Sequence, residues 1–549
     1  MTHRPPGRFV VVLAVLVMVT AACGESDNEQ RGAQGGATTA VGGKRGGVFR
    51  IPIGEPRAID PYNTRESEGT NVNKLLFVGL VTFDGNSELK MRPGVAERWS
   101  SNDDCTQWTF NLRRSKFSNG EDVDAQSFIR GWTRTADAKA ASQVAYHLAG
   151  IEGYKELHGS PQTATTFSGL SAPDPQTLVV KLSASDCEFD KKTLVPAMSP
   201  VPTVAGAADN RDFNDAPIGN GPFMLKPGTR WEHNTRISLV RNDSYFGAKP
   251  NLDAVEFLIF PAQGRLEAEY RAFQAGEADF ARVPPTLFQQ AESTYKPQGS
   301  WIKQEMFGIN YILTNDDKGA MRNPDARRAV SLAIDREAIN KGVYQGSLTP
   351  ATSLLSPPFG VFFQPGVCDV CNYDPARAKD LAARSGLTPG THLRLSYNND
   401  GGHEPLVQAW KEQLERNLGV VVDLDGVPFA QQLEQRDRGE FDIARAAWTA
   451  DYPTPDNFLF PLLGTGAEDN DGKYSNPEFD ALVAKERSQK SEAERKTTVQ
   501  QAERIAIGRD LAVIPTYYRT QYRVFDSKRF TGVALDLFEN PTVANISLK

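Results

Sequence analysis

The sequence predicts an α/β protein of more than one domain, on three observations. Strand-like alternation and helix-like periodicity succeed one another along the chain. No segment recurs at a fixed period, so a solenoid or propeller is not indicated. The 549 residues exceed what one hydrophobic core organises. Hydrophobic residues at 40% and charged residues at 23% are ordinary for a globular protein. A net charge of -7, with no Lys/Arg cluster interleaved with aromatics, argues against a nucleic-acid partner.

The amino terminus reads as a targeting segment. Arg4 and Arg8 precede the apolar run Phe9 to Val19, a charged n-region and a short h-region. The run is too short to span a bilayer comfortably. Residues 1–22 are therefore expected to be a signal peptide. Thr20-Ala21-Ala22-Cys23 resembles a bacterial lipobox, whose first position more often carries Leu. The resemblance implies cleavage before Cys23 and lipid attachment to its sulfur. Residues 23–45 are polar and Gly-rich, and suit a flexible tether.

From Gly47 the elements follow in order. Gly47 to Ile51 alternates like a first strand. Residues 55–64 form a Pro-bounded loop, and Asn71 to Leu80 has near-helical spacing. Thr106 to Leu112 and Thr177 to Leu182 alternate as strands. Between them Asp124 caps a helix bearing Phe128, Ile129 and Trp132. Residues 216–225 are turn-rich; Ile237 to Val240 and Val255 to Phe260 are strand candidates. Leu266 to Ala275 is a helix stopped by Gly276. Asn323-Pro324, Asp374-Pro375, Asn476-Pro477 and Ser491 each open a helix. Another runs from Leu406 to Leu418 and closes at Gly419, followed by the strand Val420 to Val422.

Besides Cys23 the chain has Cys105, Cys187, Cys368 and Cys371. An even count in an exported chain favours disulfides, Cys368 with Cys371 and Cys105 with Cys187. The competing reading of Cys368-x-x-Cys371 is half a zinc site, but no second ligand pair follows and the nearest downstream histidine is His392. No metal or other cofactor is expected.

The stretch Phe441 to Phe460, F-D-I-A-R-A-A-W-T-A-D-Y-P-T-P-D-N-F-L-F, concentrates unlike chemistry. A strand-like start leads to Arg445, Trp448, Asp451 and Tyr452, and then Pro453 and Pro455 break the element. A cation, a large ring, an anion and a phenol at a strand-to-loop junction suit a binding site. Serine-hydrolase, zinc-protease and nucleotide-loop signatures do not occur, so nothing calls for an enzyme.

Three separated groups of residues resemble the family 5 extracellular solute-binding proteins of ABC importers, in their oligopeptide- and dipeptide-binding branch. The first is L-F-V-G-L-V-T-F-D (76–84), R-P-G-V-A-E-R-W (92–99) and T-F-N-L-R-R-S-K-F-S-N-G-E-D-V-D-A (109–125). The second is M-R-N-P-D-A-R-R-A-V-S-L-A-I-D-R-E-A-I (321–339). The third joins R-A-A-W-T-A-D (445–451) to Y-S-N-P-E-F-D-A-L (474–482). The similarity extends from about Gly46 to Tyr518.

The resemblance implies a two-lobed periplasmic-binding-protein-like fold of class II, with an extra subdomain and a hinge crossed twice, near Gly299 and Tyr518. Lobe one would comprise residues 46–77, 200–297 and 519–549, with residues 78–199 as the inserted subdomain and 298–518 as lobe two. It implies a short peptide as ligand, permease subunits as partners, a lipid anchor on the outer membrane face and a monomer. Asp451, three residues after Trp448, would meet the peptide's α-amino group. Arg445 and His403 would face its carboxylate, His403 as a pH-sensitive donor. Trp448, Tyr452 and Tyr397 would line the cleft. The peptide backbone would pair strand-fashion with Ala446/Ala447 and with Ser67–Gly69. Thr449 stands where enteric members carry a cysteine, so cleft dimensions do not transfer. The rival readings are another solute in the same fold (oligosaccharide, nickel chelate or opine), a signalling receptor, or a hydrolase.

Overall fold

The computed structural model of the protein describes residues 43–83, 89–208 and 210–549. The expected signal peptide, Cys23 and the tether through residue 42 lie outside the described residues, as does Asp84.

The chain opens with β1 (Val48–Ile53), whose Phe49 and Ile51 are buried. Helix α1 (Ser67–Leu76) starts and ends four residues earlier than the periodicity suggests. Val72, Leu75 and Leu76 form its buried face, and extended backbone at Phe77 ends it, so Leu80 is buried from a non-helical segment instead. Strands β2 (Ala96–Ser101) and β3 (Gln107–Leu112) precede α2 (Ala125–Ala136). Asp124 and Ser127 close a reciprocal capping box on α2, which buries Phe128 and Trp132. Then come β4 (Leu170–Asp174), β5 (Thr177–Lys181) and the single turn α3 (Phe189–Lys192). The order β2-β3-β5-β4 makes a four-stranded sheet, and Phe110, Leu178 and Trp132 fill the core on it.

The chain then returns to β1. Strands β6 (Phe223–Leu225), β7 (Arg236–Arg241) and β8 (Ala254–Ile259) give the order β1-β8-β7-β6, with β1 and β8 parallel. Phe49, Phe223 and Phe257 share this core with Phe530 and Ile546 near the chain end. Lys44 and Leu548 exchange backbone hydrogen bonds of 2.8 and 3.1 Å, so the start of the described chain is stitched to its last residues.

The largest sheet begins with β9 (Phe280–Arg282) and the long β10 (Trp301–Thr314), which follows Gly299 at φ +67°. Helices α4 (Pro324–Leu332) and α5 (Pro375–Ser385) follow, capped by Asn323 and Asp374 as their sequences require. Strand β11 (His392–Asn398), α6 (Glu404–Leu418), β12 (Val421–Val427) and β13 (Ile443–Thr449) come next. Helix α7 (Asp456–Leu463) begins directly after Pro455, and α8 (Pro477–Arg487) and α9 (Glu492–Glu503) lead to β14 (Val513–Phe525). The central order is β9-β14-β10-β13-β11-β12. Its core gathers Tyr311, Leu395, Trp410, Phe458 and Tyr517. The fold is thus α/β and two-lobed.

β14 runs through Tyr518 without a break and pairs with β10. Their register slips at Glu305–Ile309, where Met306, Phe307 and Gly308 oppose Arg519 alone. A Cβ on Gly308 would lie 2.8 Å from Arg519 Cδ and 2.9 Å from the Trp448 carbonyl, so the slip requires glycine.

Cys105 is disulfide-bonded to Cys187 and Cys368 to Cys371. Among the described residues no group of three or more His, Cys, Asp or Glu side chains is placed to hold a metal ion.

The subdomain is fastened to the β1 lobe by a buried bidentate pair. Arg134 Nη1 and Nη2 donate to both oxygens of Asp60 at 2.8 and 2.7 Å, and Asp60 is fully buried. Removing the carboxylate strands a buried guanidinium. We expect D60A to cost about 3–5 kcal/mol, read as a lowered urea midpoint.

Candidate functional site

β13 is where the sequence concentrates its chemistry, and its pairing explains why. On one side it pairs antiparallel with β10 along its whole length, from Gly308↔Thr449 to Thr314↔Ile443. On the other it pairs with β11 only at Leu395↔Ile443 and Ser396↔Ala444. Past Ala444 that edge is open. The Ala450 N–H donates to Phe307 O on the β10 side, whereas the Arg445 carbonyl accepts from Gln432 on the other. Antiparallel alternation therefore turns the N–H and C=O of Ala447 to the open edge.

Side-chain alternation sorts the candidates. Ala446 is buried in the lobe core, and Trp448 packs partly buried on that same side. Arg445, Ala447 and Thr449 share the opposite, half-buried face. Trp448 is therefore scaffolding: its indole Nε1 donates to Asn457 Oδ1 at 3.2 Å.

Asn457 also orders Asp451. Its Oδ1 accepts from the Asp451 N–H at 2.9 Å, and its Nδ2 donates to Asp451 Oδ2 at 3.2 Å. The strand end, the ring and the carboxylate are thus fixed by one buried amide on α7. No Lys, Arg or His among the described residues forms an ion pair with Asp451. Tyr146 and His147 of the inserted subdomain lie in its field. Burial, with Asp451 and Asp469 adding, holds the Tyr146 phenol well above its usual range.

At the other end of the strand Arg445 forms no ion pair with a carboxylate among the described residues. Its Nη2 donates to Asn310 Oδ1 at 3.2 Å, and its buried Nε has no acceptor. Burial pulls it down to about 10, against the Tyr344 phenol and with the Arg519 and Arg436 guanidiniums helping. It stays charged at neutral pH. His403, at the start of α6, shares this environment. Burial first, then Arg445 and Arg519, push it down to about 2. A histidine so depressed is neutral at physiological pH. In that environment His403 is held toward its neutral form, with one N–H to donate.

The remaining candidates lie elsewhere. Tyr452 is buried in the subdomain core, so it plugs that core rather than facing a ligand. Tyr397 is buried in the large core with its hydroxyl donated to Glu404. Ser67 to Gly69 form the first turn of α1, so strand-type pairing expected there is not available to a ligand. Ser67 instead lines a cavity of about 130 Å³ with Glu269, Arg519, Arg523 and Glu539.

Sequence reading missed Asn457, Arg519 and Asp469. Asp469 faces Arg65 across 3.9 Å, and one of its buried oxygens has no hydrogen-bond partner. Burial pushes Asp469 up to about 7, with Asp451, Asp471 and Glu468 adding and Arg65 opposing. No local pattern marks these residues, because each acts through neighbours far away in the chain.

An acid whose folded pKa lies above its unfolded one stabilises the fold fully below the unfolded value, near 3.8, and loses that contribution as pH rises through about 7. D469N is therefore expected to flatten part of the fall in Tm between pH 4 and 7, as followed by calorimetry.

With this geometry in place, comparison with known proteins is informative. Residues 90–470 match the description "Bacterial extracellular solute-binding proteins, family 5 Middle". The chain is 31% identical over 491 residues to the periplasmic oligopeptide-binding protein OppA of Salmonella typhimurium, covering 86% of each chain. It is 28% identical over 532 residues to the oligopeptide-binding protein OppA of Bacillus subtilis, covering 94% of this chain and 95% of that one. The solved structure of Burkholderia pseudomallei OppA superposes with a TM-score of 0.78 at 25% identity, covering 92% of this chain and 99% of that one. On both the matched span and the identity, the chain belongs to the family 5 bacterial extracellular solute-binding proteins, which are substrate-binding proteins of transporters and not enzymes.

Proposed function

We propose that the protein captures short peptides in the cleft beside β13 and delivers them to the membrane permease of an ABC importer, while anchored to the outer face of the membrane by a lipid on Cys23. The observation that carries the reading is the layout of one strand. An unpaired cation, Arg445, and an anion without a cationic partner, Asp451, flank an edge whose Ala447 backbone is open. Arg445 lies on the strand and Asp451 two residues past its end at Thr449, so the two are up to roughly 20 Å apart along the chain. A peptide offers an ammonium, a carboxylate and strand-type backbone in that arrangement, running antiparallel to β13.

Charge favours this over a neutral solute. A sugar would leave a half-buried carboxylate and a buried guanidinium both uncompensated, which is costly in a water-poor cleft. The names of the two relatives describe oligopeptide-binding proteins, in line with the reading. The lipobox-like residues before Cys23 and the Gly-rich stretch after it support the anchor. No helix among the described residues is long and apolar enough to cross a membrane. The receptor works as a monomer in this reading.

D451N is expected to weaken free-amine peptides roughly 10- to 100-fold, the range for losing a charged hydrogen bond, and to leave their N-acetylated counterparts nearly unchanged. R445M is expected to do the same for free against amidated carboxyl ends. Calorimetric titration with matched peptides measures both. Equal losses for capped and uncapped forms would sink the assignment of the two ends. In thermal-shift screens a bound peptide at 100 times its Kd should stabilise the receptor by about 2.7 kcal/mol. Sugars and nickel chelates should give no shift.

A further inference from the structure

The loop that carries Asp451 is gripped from outside its own lobe. Tyr452, the next residue, is buried in the core of the inserted subdomain. Four residues on, Asp456 opens α7 and is 1% exposed. Its carboxylate takes Arg487 Nε at 2.7 Å and Nη2 at 3.1 Å, both from α8. It also takes Lys192 Nζ at 2.8 Å, from α3 of the subdomain. Lys192 is held in turn by Asp186 at 2.6 Å. Two cations thus balance two carboxylates inside the junction.

Neighbouring contacts lock the same seam. The Cys187 N–H donates to the Arg487 carbonyl at 2.7 Å, and Arg495 reaches Glu188 at 2.7 Å. The Cys105–Cys187 disulfide fixes this loop on the subdomain. The Lys192 ammonium also lies 5.8 Å from the Tyr452 ring centroid.

Asp456 and Asn457 are consecutive on the first turn of α7. The first is held by the subdomain, and the second holds Asp451 and Trp448. Whatever sets the position of Asp456 sets that of Asn457, because the helical backbone between them is rigid. We propose that Lys192 is a positioning residue for the ligand's amino end: through Asp456 and Asn457 it aims the Asp451 carboxylate, although it does not face the open edge of β13. The inference rests on the proposed peptide reading and extends it to the subdomain. With the lysine removed, Asp186 loses its ion partner, Asp456 keeps only Arg487 of its own lobe, and the hold of the subdomain on α7 and thus on the Asp451 carboxylate is weakened.

The test compares a free-amine tripeptide with its N-acetylated form by calorimetric titration of the mature chain from Cys23, purified in detergent. K192M is expected to reduce the preference for the free amine at least five-fold, leaving affinity for the acetylated peptide within two-fold. K192R, which keeps a cation against both carboxylates, is expected to restore most of the preference. In a D451N background K192M should cause no further change. A K192M receptor with the wild-type free-amine preference overturns the proposal, as does a loss equal for both peptides or one fully additive with D451N. Where K192M does not accumulate, K192Q, which keeps a polar side chain without the charge, is read the same way. A wild-type receptor with no free-amine preference at all overturns instead the peptide reading on which the proposal rests.

Discussion

A backbone amide withdrawn from water has to find a partner, and β13 is built so that it finds one only halfway. β10 accompanies the strand along its whole length, whereas β11 leaves it after Ala444. The strand continues regardless, because β10 and the helices behind it hold Ala446 and Trp448 in place. What results is a rigid ladder with one side unfilled past Ala444. A segment in extended conformation completes it whatever its side chains, which is the physical basis of tolerance in such a binding site.

Charge is distributed on the same principle. Several buried ions elsewhere are matched: Arg134 with Asp60, Arg495 with Glu486 and Glu188, Arg436 with Asp471, whereas Arg336 and Glu503 are buried mainly against backbone groups. Along β13 the charges are not matched by ions. Arg445 has an amide where a carboxylate would be expected, and Asp451 has an amide where a cation would be. In the proposed reading, lone charges of this kind favour a guest bearing the complementary pair over one without it. His403 is held toward its neutral form chiefly by burial, with Arg445 and Arg519 adding.

Much of this was legible in the sequence where chemistry is local. Helix starts written as Asn-Pro or Asp-Pro, and the capping box at Asp124, appear in the structure as read. The gathering of Arg445, Trp448 and Asp451 at a strand end was visible from residue types alone. The long strands β10 and β14 carried no clear alternation, because a central strand buried on both faces, such as Tyr311 to Thr314, reads as an unbroken apolar run. Tyrosine was the least legible residue. Tyr397, Tyr452 and Tyr518 look alike in sequence, yet their hydroxyls and rings are all engaged in packing or in bonds to Glu404, Thr352 and Ser353. Asn457 shows the limit from the other direction, since nothing in P-T-P-D-N tells an organising amide from a solvated one.

The stitch between Lys44 and Leu548 has a practical side for anyone handling the protein. A reporter fused behind Lys549 would therefore sit beside the first described residues. An exposed turn on the body, such as the one at Gly228, whose α-carbon has open space around it, is the better place for a label.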